Sequence, residues 1–145
     1  DVSVQSQIIE VLKDICAERG AAVMLITHDM GVIAETADRV AVLYAGRMAE
    51  VGPVREVITE ALHPYTAGLM SSIPTLTQVS DRLVQIPGAM PRLNAIPTGC
   101  AFNPRCGKAF APCTVDRPEL IAQEGGRQVA CWLYDEAKSR EVPHV

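Results

Sequence analysis

AAVMLITHDMGVIAETADRVAVLYAGRMAEVG, residues 21–52, is the stretch from which the rest of the chain is read. Ala22 to Thr27 is an uninterrupted apolar run rich in valine, isoleucine and leucine, the pattern of a strand buried on both faces of a mostly parallel sheet. The run ends in Thr27-His28-Asp29. Ligands of open α/β sheets sit beyond the carboxyl ends of the strands, so this polar trio falls where a site would be, with His28 as the candidate residue. Asp29 is placed to N-cap a short helix over residues 30–37, in which Met30, Ile33, Ala34 and Ala37 recur at helical spacing. Arg39 to Tyr44 and Arg47 to Val51 then read as the strands of a hairpin that turns at Ala45-Gly46, where glycine supplies the permissive backbone.

Upstream, DVSVQSQIIEVLKDICAERGA predicts a helix with Ser3 as N-cap and Val4, Ile8, Val11, Leu12 and Ile15 as its apolar stripe, stopped by Gly20. Cys16 on this helix is expected to pack as a small hydrophobe. Helix, buried strand, short helix and hairpin make the end of a doubly wound α/β domain. The sequence holds no G-x-x-x-x-G-K-[ST] phosphate loop, no LSGGQ-like segment and no hydrophobic strand ending in Asp-Glu. A parallel strand is stable only between neighbours, so residues 22–27 are expected to need further chain or a partner to cover them.

The run LITHDMGVIAETADRVAVLYAGRMAEVG, continuous with the helix before it, resembles the end of an ABC-transporter ATPase domain from Asp1 to Gly52. The resemblance implies that His28 is the switch histidine facing the γ-phosphate of ATP, and that Asp1 belongs to the D-loop at the nucleotide interface between two ATPase subunits or domains. It also implies ATP and magnesium in the complete protein, of which this chain would be a C-terminal fragment, inactive alone.

Composition narrows the classes. At 145 residues and 48% apolar content the chain can build a core, and its net charge of −4 argues against a nucleic-acid partner. Its apolar runs are strand-length and soon meet charge, so none reads as a membrane span.

After the hairpin, Gly52-Pro53 is expected to open a helix through Val54, Val57 and Ile58, with proline at the first helical position. His63-Pro64-Tyr65 repeats the device ahead of a helix over Thr66 to Ser72, with Ala67, Leu69 and Met70 inward and a stop at Ile73-Pro74. A histidine just before a helix-opening proline reads as a cap or packing residue before it reads as a ligand. From Pro74 to Pro97 periodicity fades; Leu83 to Ile86 forms at most one short strand, and IPGAMPRLNAIPTG is extended or turning backbone. Such an arm has too little core to offset its ordering entropy and needs a staple.

Cys100, Cys106, Cys113 and Cys131 follow as C-x5-C-x6-C-x17-C. A structural zinc site ordinarily shows tight C-x2-C pairs, disulfides need an oxidising compartment, and an iron–sulfur cluster takes four thiolates at wider spacing, although ferredoxin runs are not matched either. All remain open on spacing. Arg105, Lys108, Arg117 and Arg127 would compensate a bound anionic centre, or else form a solvated rim. Trp132 and Tyr134 read as lids beside the last cysteine. The charged tail DEAKSREVPHV, with His144, reads as frayed.

The segments HPYTAGLMSSIP, GCAFNPRCGKAFAPC-TVDRPEL and VACWLY resemble the C-terminal extension of dipeptide and oligopeptide importer ATPases. What this implies is a 4Fe-4S cluster on Cys100, Cys106, Cys113 and Cys131, with zinc as the alternative. The implied architecture is α/β: the C-terminal part of a P-loop-type ABC ATPase domain over residues 1–60, then a loop-rich, metal-stapled extension over residues 61–145. The implied function is ATP binding and hydrolysis that energises peptide import, with transmembrane permease subunits, a substrate-binding protein acting indirectly, and a seat on the cytoplasmic face of the membrane. The alternatives are an iron–sulfur redox or sensing protein, a structural metal module that docks the ATPase to a neighbour, and an ATPase for nickel or another solute.

Overall fold

A computed structural model describes residues 2–73 and 85–139; Asp1, Leu83, Val84 and His144 lie outside the described residues. The chain divides into two compact units, residues 1–38 and 39–145.

In the first unit, α1 (Val2–Arg19) ends at Gly20, whose φ of +61° is the left-handed conformation of a helix stop. Ser3 falls inside this helix, one residue past its start, and not ahead of it. The predicted stripe stays uncovered, with Ile8, Val11 and Ile15 exposed, while Leu12 and Cys16 are half-buried. α2 (Met30–Thr36) starts as expected: the Asp29 carboxylate accepts the amides of Gly31 at 2.9 Å and Val32 at 3.2 Å.

The expected strand over residues 22–27 is not formed. A strand exists through the neighbours that satisfy its N–H and C=O groups, and the described residues of this unit supply none. The apolar run instead lies open, with Met24 86% and Ile26 88% exposed. The parallel, doubly wound sheet is therefore absent among the described residues. The sheet that is present is antiparallel.

That sheet has the order β1-β2-β4-β3 and belongs to the second unit. β1 (Arg39–Tyr44) alternates exposed and buried residues, so Val40, Val42 and Tyr44 face inward. The turn to β2 (Arg47–Pro53) uses Ala45 at φ +49° and Gly46 at φ +74°, the two positive angles of a type I′ hairpin. Val42 stands opposite Glu50 but Leu43 opposite Met48, so Ala49 is an extra residue. The bulge turns both Ala49 and Glu50 inward, which strict alternation forbids.

β2 continues into α3 (Val54–Thr59), with Pro53 at the N-cap rather than the first helical position. α4 (Pro64–Ser71) starts two residues earlier than expected, with Pro64 in its first turn. Its buried side is Thr66, and Ala67 faces out. From residue 85 the described chain runs without strand to α5 (Ala111–Val115) and then to the short strands β3 (Ile121–Gln123) and β4 (Arg127–Val129), ending in α6 (Glu136–Ser139). β4 pairs with β2 through Glu50–Val129 and Val51–Gln128, which carries the C-terminal stretch back onto the hairpin.

Tyr44, Ala49 and Phe102 form a buried cluster against which Tyr65, Ile86, Cys100 and Cys106 pack. Its rings meet edge-on or tilted: Tyr44 to Tyr65 at 4.6 Å and Tyr44 to Phe102 at 5.2 Å between centroids. Arg105 straps the preceding arm to this cluster, donating to the carbonyls of Pro87 at 2.8 Å and Ile86 at 3.2 Å and to the Tyr44 hydroxyl at 3.3 Å.

Candidate four-cysteine site

Two close turns bring the cysteines together. Cys100 donates its amide to the Cys113 carbonyl at 2.9 Å, and the 3₁₀ turn over Asn103–Arg105 carries the chain from Cys100 to Cys106. Gly99 has φ +71°, and a Cβ there would lie 2.3 Å from the Cys113 carbonyl oxygen, so the approach of the two strands of chain requires glycine. Cys131 arrives from the other direction, directly after β4 and Ala130, whose amide donates to Ala49 at 2.8 Å.

All four thiols line one cavity, together with His63, Lys108, Trp132 and Leu133. Burial pushes the Cys100 and Cys106 thiols up, and that of Cys131 up to about 12; neighbouring cysteines add to the effect at each. Against this, backbone N–H groups face the sulfurs: those of Phe102 and Asn103 toward Cys100, Lys108 toward Cys106 and Leu133 toward Cys131. Donors aimed at sulfur favour its thiolate form. Among the described residues, no three His, Cys, Asp or Glu side chains are grouped as a single metal ion would hold them.

The basic residues divide differently from expectation. Lys108 lines the cavity and its charge favours the Cys106 thiolate. Arg105 is committed to the arm, Arg127 to Glu50, and Arg117 is exposed. Trp132 lines the cavity and is held by its indole N–H on the Asp116 carbonyl at 2.9 Å, with Lys138 5.2 Å above its ring. Tyr134 is not a lid: its hydroxyl donates to the Leu62 carbonyl at 3.0 Å.

Beside the cavity stands a buried carboxylate that sequence reasoning missed. Glu50 is 0% exposed and accepts the amide of Leu62 at 3.0 and 3.1 Å, the amide of His63 at 2.9 Å and the guanidinium of Arg127 at 2.9 Å. Arg127 also donates to the Glu60 carbonyl. Only the bulge hints at it, since a charged residue in an otherwise apolar strand is read as facing solvent. His63 is buried at 3% exposure, caps α4 by accepting the Tyr65 amide on Nδ1 at 3.0 Å, and packs on Phe102. Burial lowers its pKa to about 4, partly opposed by the Glu50 charge, so the ring is neutral.

The remaining sequence candidates lie apart from this cavity in the chain. His28 is an exposed residue of the first unit, just before the Asp29 cap. No helix among the described residues is long and apolar enough to cross a membrane.

Residues 49–113 match the family described as the oligopeptide/dipeptide transporter, C-terminal region. Glu50, His63, Cys100, Cys106 and Cys113 all fall within the match. The chain is 44% identical over 136 residues to the oligopeptide transport ATP-binding protein AppD of Bacillus subtilis, covering 94% of this chain and 42% of that protein. It is 41% identical over 142 residues to the dipeptide transport ATP-binding protein DppD of the same organism, covering 98% of this chain and 42% of that one. The chain thus spans about two fifths of the length of these relatives.

Proposed function

We propose that this chain is the C-terminal part of an ATP-binding subunit that energises peptide import by an ABC transporter. The observation that carries the reading is the match of residues 49–113 to the transporter family, supported by relatives named as oligopeptide and dipeptide transport ATP-binding proteins. In the complete protein, MgATP is the substrate and lies between two ATPase subunits or domains. His28 donates a hydrogen bond to the γ-phosphate and orients the attacking water, and Asp1 signals across the interface. Catalysis of this kind is positioning and charge stabilisation, so one preorganised donor controls the rate. Transmembrane permease subunits receive the resulting motion, a substrate-binding protein delivers peptide, and the subunit is peripheral on the cytoplasmic face. Residues from about 61 onward form the extension that sets this subfamily apart.

In that extension the four cysteines hold a 4Fe-4S cluster. Four thiols converge on one cavity, backbone donors face three of the sulfurs, and Lys108 adds positive charge, a donor set that fits an anionic metal–sulfur group. Zinc, held by thiolates at about 2.3 Å, is the alternative occupant of the same donor set. A polynuclear core accepts thiolates set wider around a common cavity. When bound, such a cluster supplies cross-linking and, where it exchanges electrons, a redox response.

The test is the full-length protein assembled with its permease. His28→Ala should lower ATP turnover by about 100- to 1,000-fold while nucleotide still binds, and near-normal turnover would refute the assigned role. Anaerobic protein should be brown and contain iron and acid-labile sulfide. Colourless protein with one zinc per chain would replace the cluster and leave the transport reading intact.

A further inference from the structure

The two nitrogens of His63 have separate tasks. Nδ1 accepts the Tyr65 amide at 3.0 Å, so the proton of the neutral ring resides on Nε2. The residue is 3% exposed, its own amide is bound to Glu50 at 2.9 Å, and its ring centroid is 5.9 Å from that of Phe102. Swinging it out would give up the helix cap and the aromatic contact together. A buried N–H without an acceptor costs about 1–3 kcal/mol, so Nε2–H is expected to have one. The ring lines the cavity on which Cys100, Cys106, Cys113 and Cys131 converge, and an adjoining cavity that Cys100 also lines. The acceptor side chains around the first of these cavities are the four cysteines and Asn103, so the sulfurs predominate.

We infer that His63 is a built-in hydrogen-bond donor of the four-cysteine site, its Nε2–H directed to a sulfur of the thiolate-held centre. The inference rests on the metal–thiolate reading above and adds to it a residue that is not a ligand. Four thiolates concentrate negative charge in a buried cavity, and a fixed N–H dipole stabilises that charge most in the more reduced state. Hydrogen bonds to sulfur are one of the terms that set the potential of such a centre. The donor and the cap sit on opposite sides of one ring, which explains a histidine here where asparagine or serine would cap equally well.

Two substitutions separate the tasks. In His63→Asn the amide oxygen stands where Nδ1 stood and keeps the cap, but the side chain is too short to reach the cavity. In His63→Gln the amide nitrogen reaches about as far as Nε2 and keeps the donor. Full-length protein is reconstituted anaerobically with ferrous iron and sulfide, and its midpoint potential is measured by spectroelectrochemical titration. H63N should shift to a more negative potential, and H63Q should stay near the wild type. Equal potentials in H63N and wild type, or equal shifts in both variants, overturn the inference.

Loading with ¹¹³Cd²⁺ alone gives a readout that needs no cluster. An imidazole proton of His63 should couple to the cadmium through a cadmium-bound sulfur in the wild type and lose that coupling in H63N. Cadmium bound without it refutes the donor. Protein that takes no iron but binds cadmium with the coupling keeps the donor and refutes the iron–sulfur reading; protein that binds neither refutes both.

Discussion

Replacing Arg127 by methionine leaves the Glu50 carboxylate fully buried with its counter-charge removed. Glu50 is 0% exposed and Arg127 8%, so water screens neither. Removing one partner of such a buried pair costs about 3–5 kcal/mol, because the remaining charge keeps its desolvation penalty. Two features place this case at the lower end. The Leu62 and His63 amides still donate to the carboxylate, and Arg127 Nε is already buried without a partner, so the native pair is not fully satisfied. About 3 kcal/mol, at 1.4 kcal/mol per tenfold, is a loss of roughly a hundredfold in protection. The assay is native-state hydrogen exchange on the full-length protein, read at the amides of Leu62, His63 and Ala130, which close the ring between β2, β4 and the start of α4. The double variant Glu50→Gln, Arg127→Met removes both charges and should cost clearly less than the sum of the two single changes. Unchanged protection in R127M, or additive costs in the double variant, would refute the claim that this pair clamps the C-terminal stretch to the hairpin.

The peptide spanning residues 1–145 should bind no MgATP by calorimetry, since it contains no phosphate loop and no magnesium-binding strand end; stoichiometric binding would sink that expectation. His63, with its pKa lowered from 6.5 to about 4, takes up a proton in the unfolded chain before it does so in the folded one. Stability of the second unit should therefore hold above pH 6.5 and fall as pH drops from 6.5 toward 4, by up to about 3 kcal/mol; unfolding curves for His63→Gln should lose that portion of the slope. Gly99→Ala drives a Cβ into the Cys113 carbonyl at a positive φ and should abolish iron and sulfide uptake, whereas Gly107→Ala, with open space around its Cβ position, should not; equal cluster content in both variants would contradict the close-approach argument.

The hairpin was legible because RVAVLY alternates cleanly and Ala45-Gly46 supplies its turn. The cap at His63 was legible because the following proline forces the geometry. What could not be read was pairing over distance. β3 and β4 are three residues each, too short for any periodic signal, and the Glu50–Arg127 contact joins residues 77 apart in sequence. The apolar run at residues 22–27 shows the opposite failure. Its composition states a need for burial but not what supplies it, so a strand was expected where the described residues offer no neighbour. The cysteine spacing singled out four candidate residues, but the common cavity is created by the Gly99 approach and by β4, neither of which spacing reveals.

These ties change what losing one thiol should do. From sequence, the arm was expected to depend on ligation alone, so that Cys106→Ser would release everything from about Pro74 onward. The structure gives the flanks independent anchors: Arg105 on Pro87, Ile86 and Tyr44, β4 on β2, the Glu50–Arg127 pair, and Tyr134 on Leu62. None of these passes through a cysteine sulfur. The turn between Cys100 and Cys113, by contrast, has half-buried and buried thiols facing a cavity, and binding a metal centre there is folding free energy for that turn. On the proposed cluster reading, Cys106→Ser should therefore leave the protein without iron and raise exchange across residues 100–113, while the amide of Ala130 keeps its protection. Simultaneous loss of protection at Ala130 would mean that the metal, not the sheet and its buried ion pair, holds the C-terminal stretch to the hairpin.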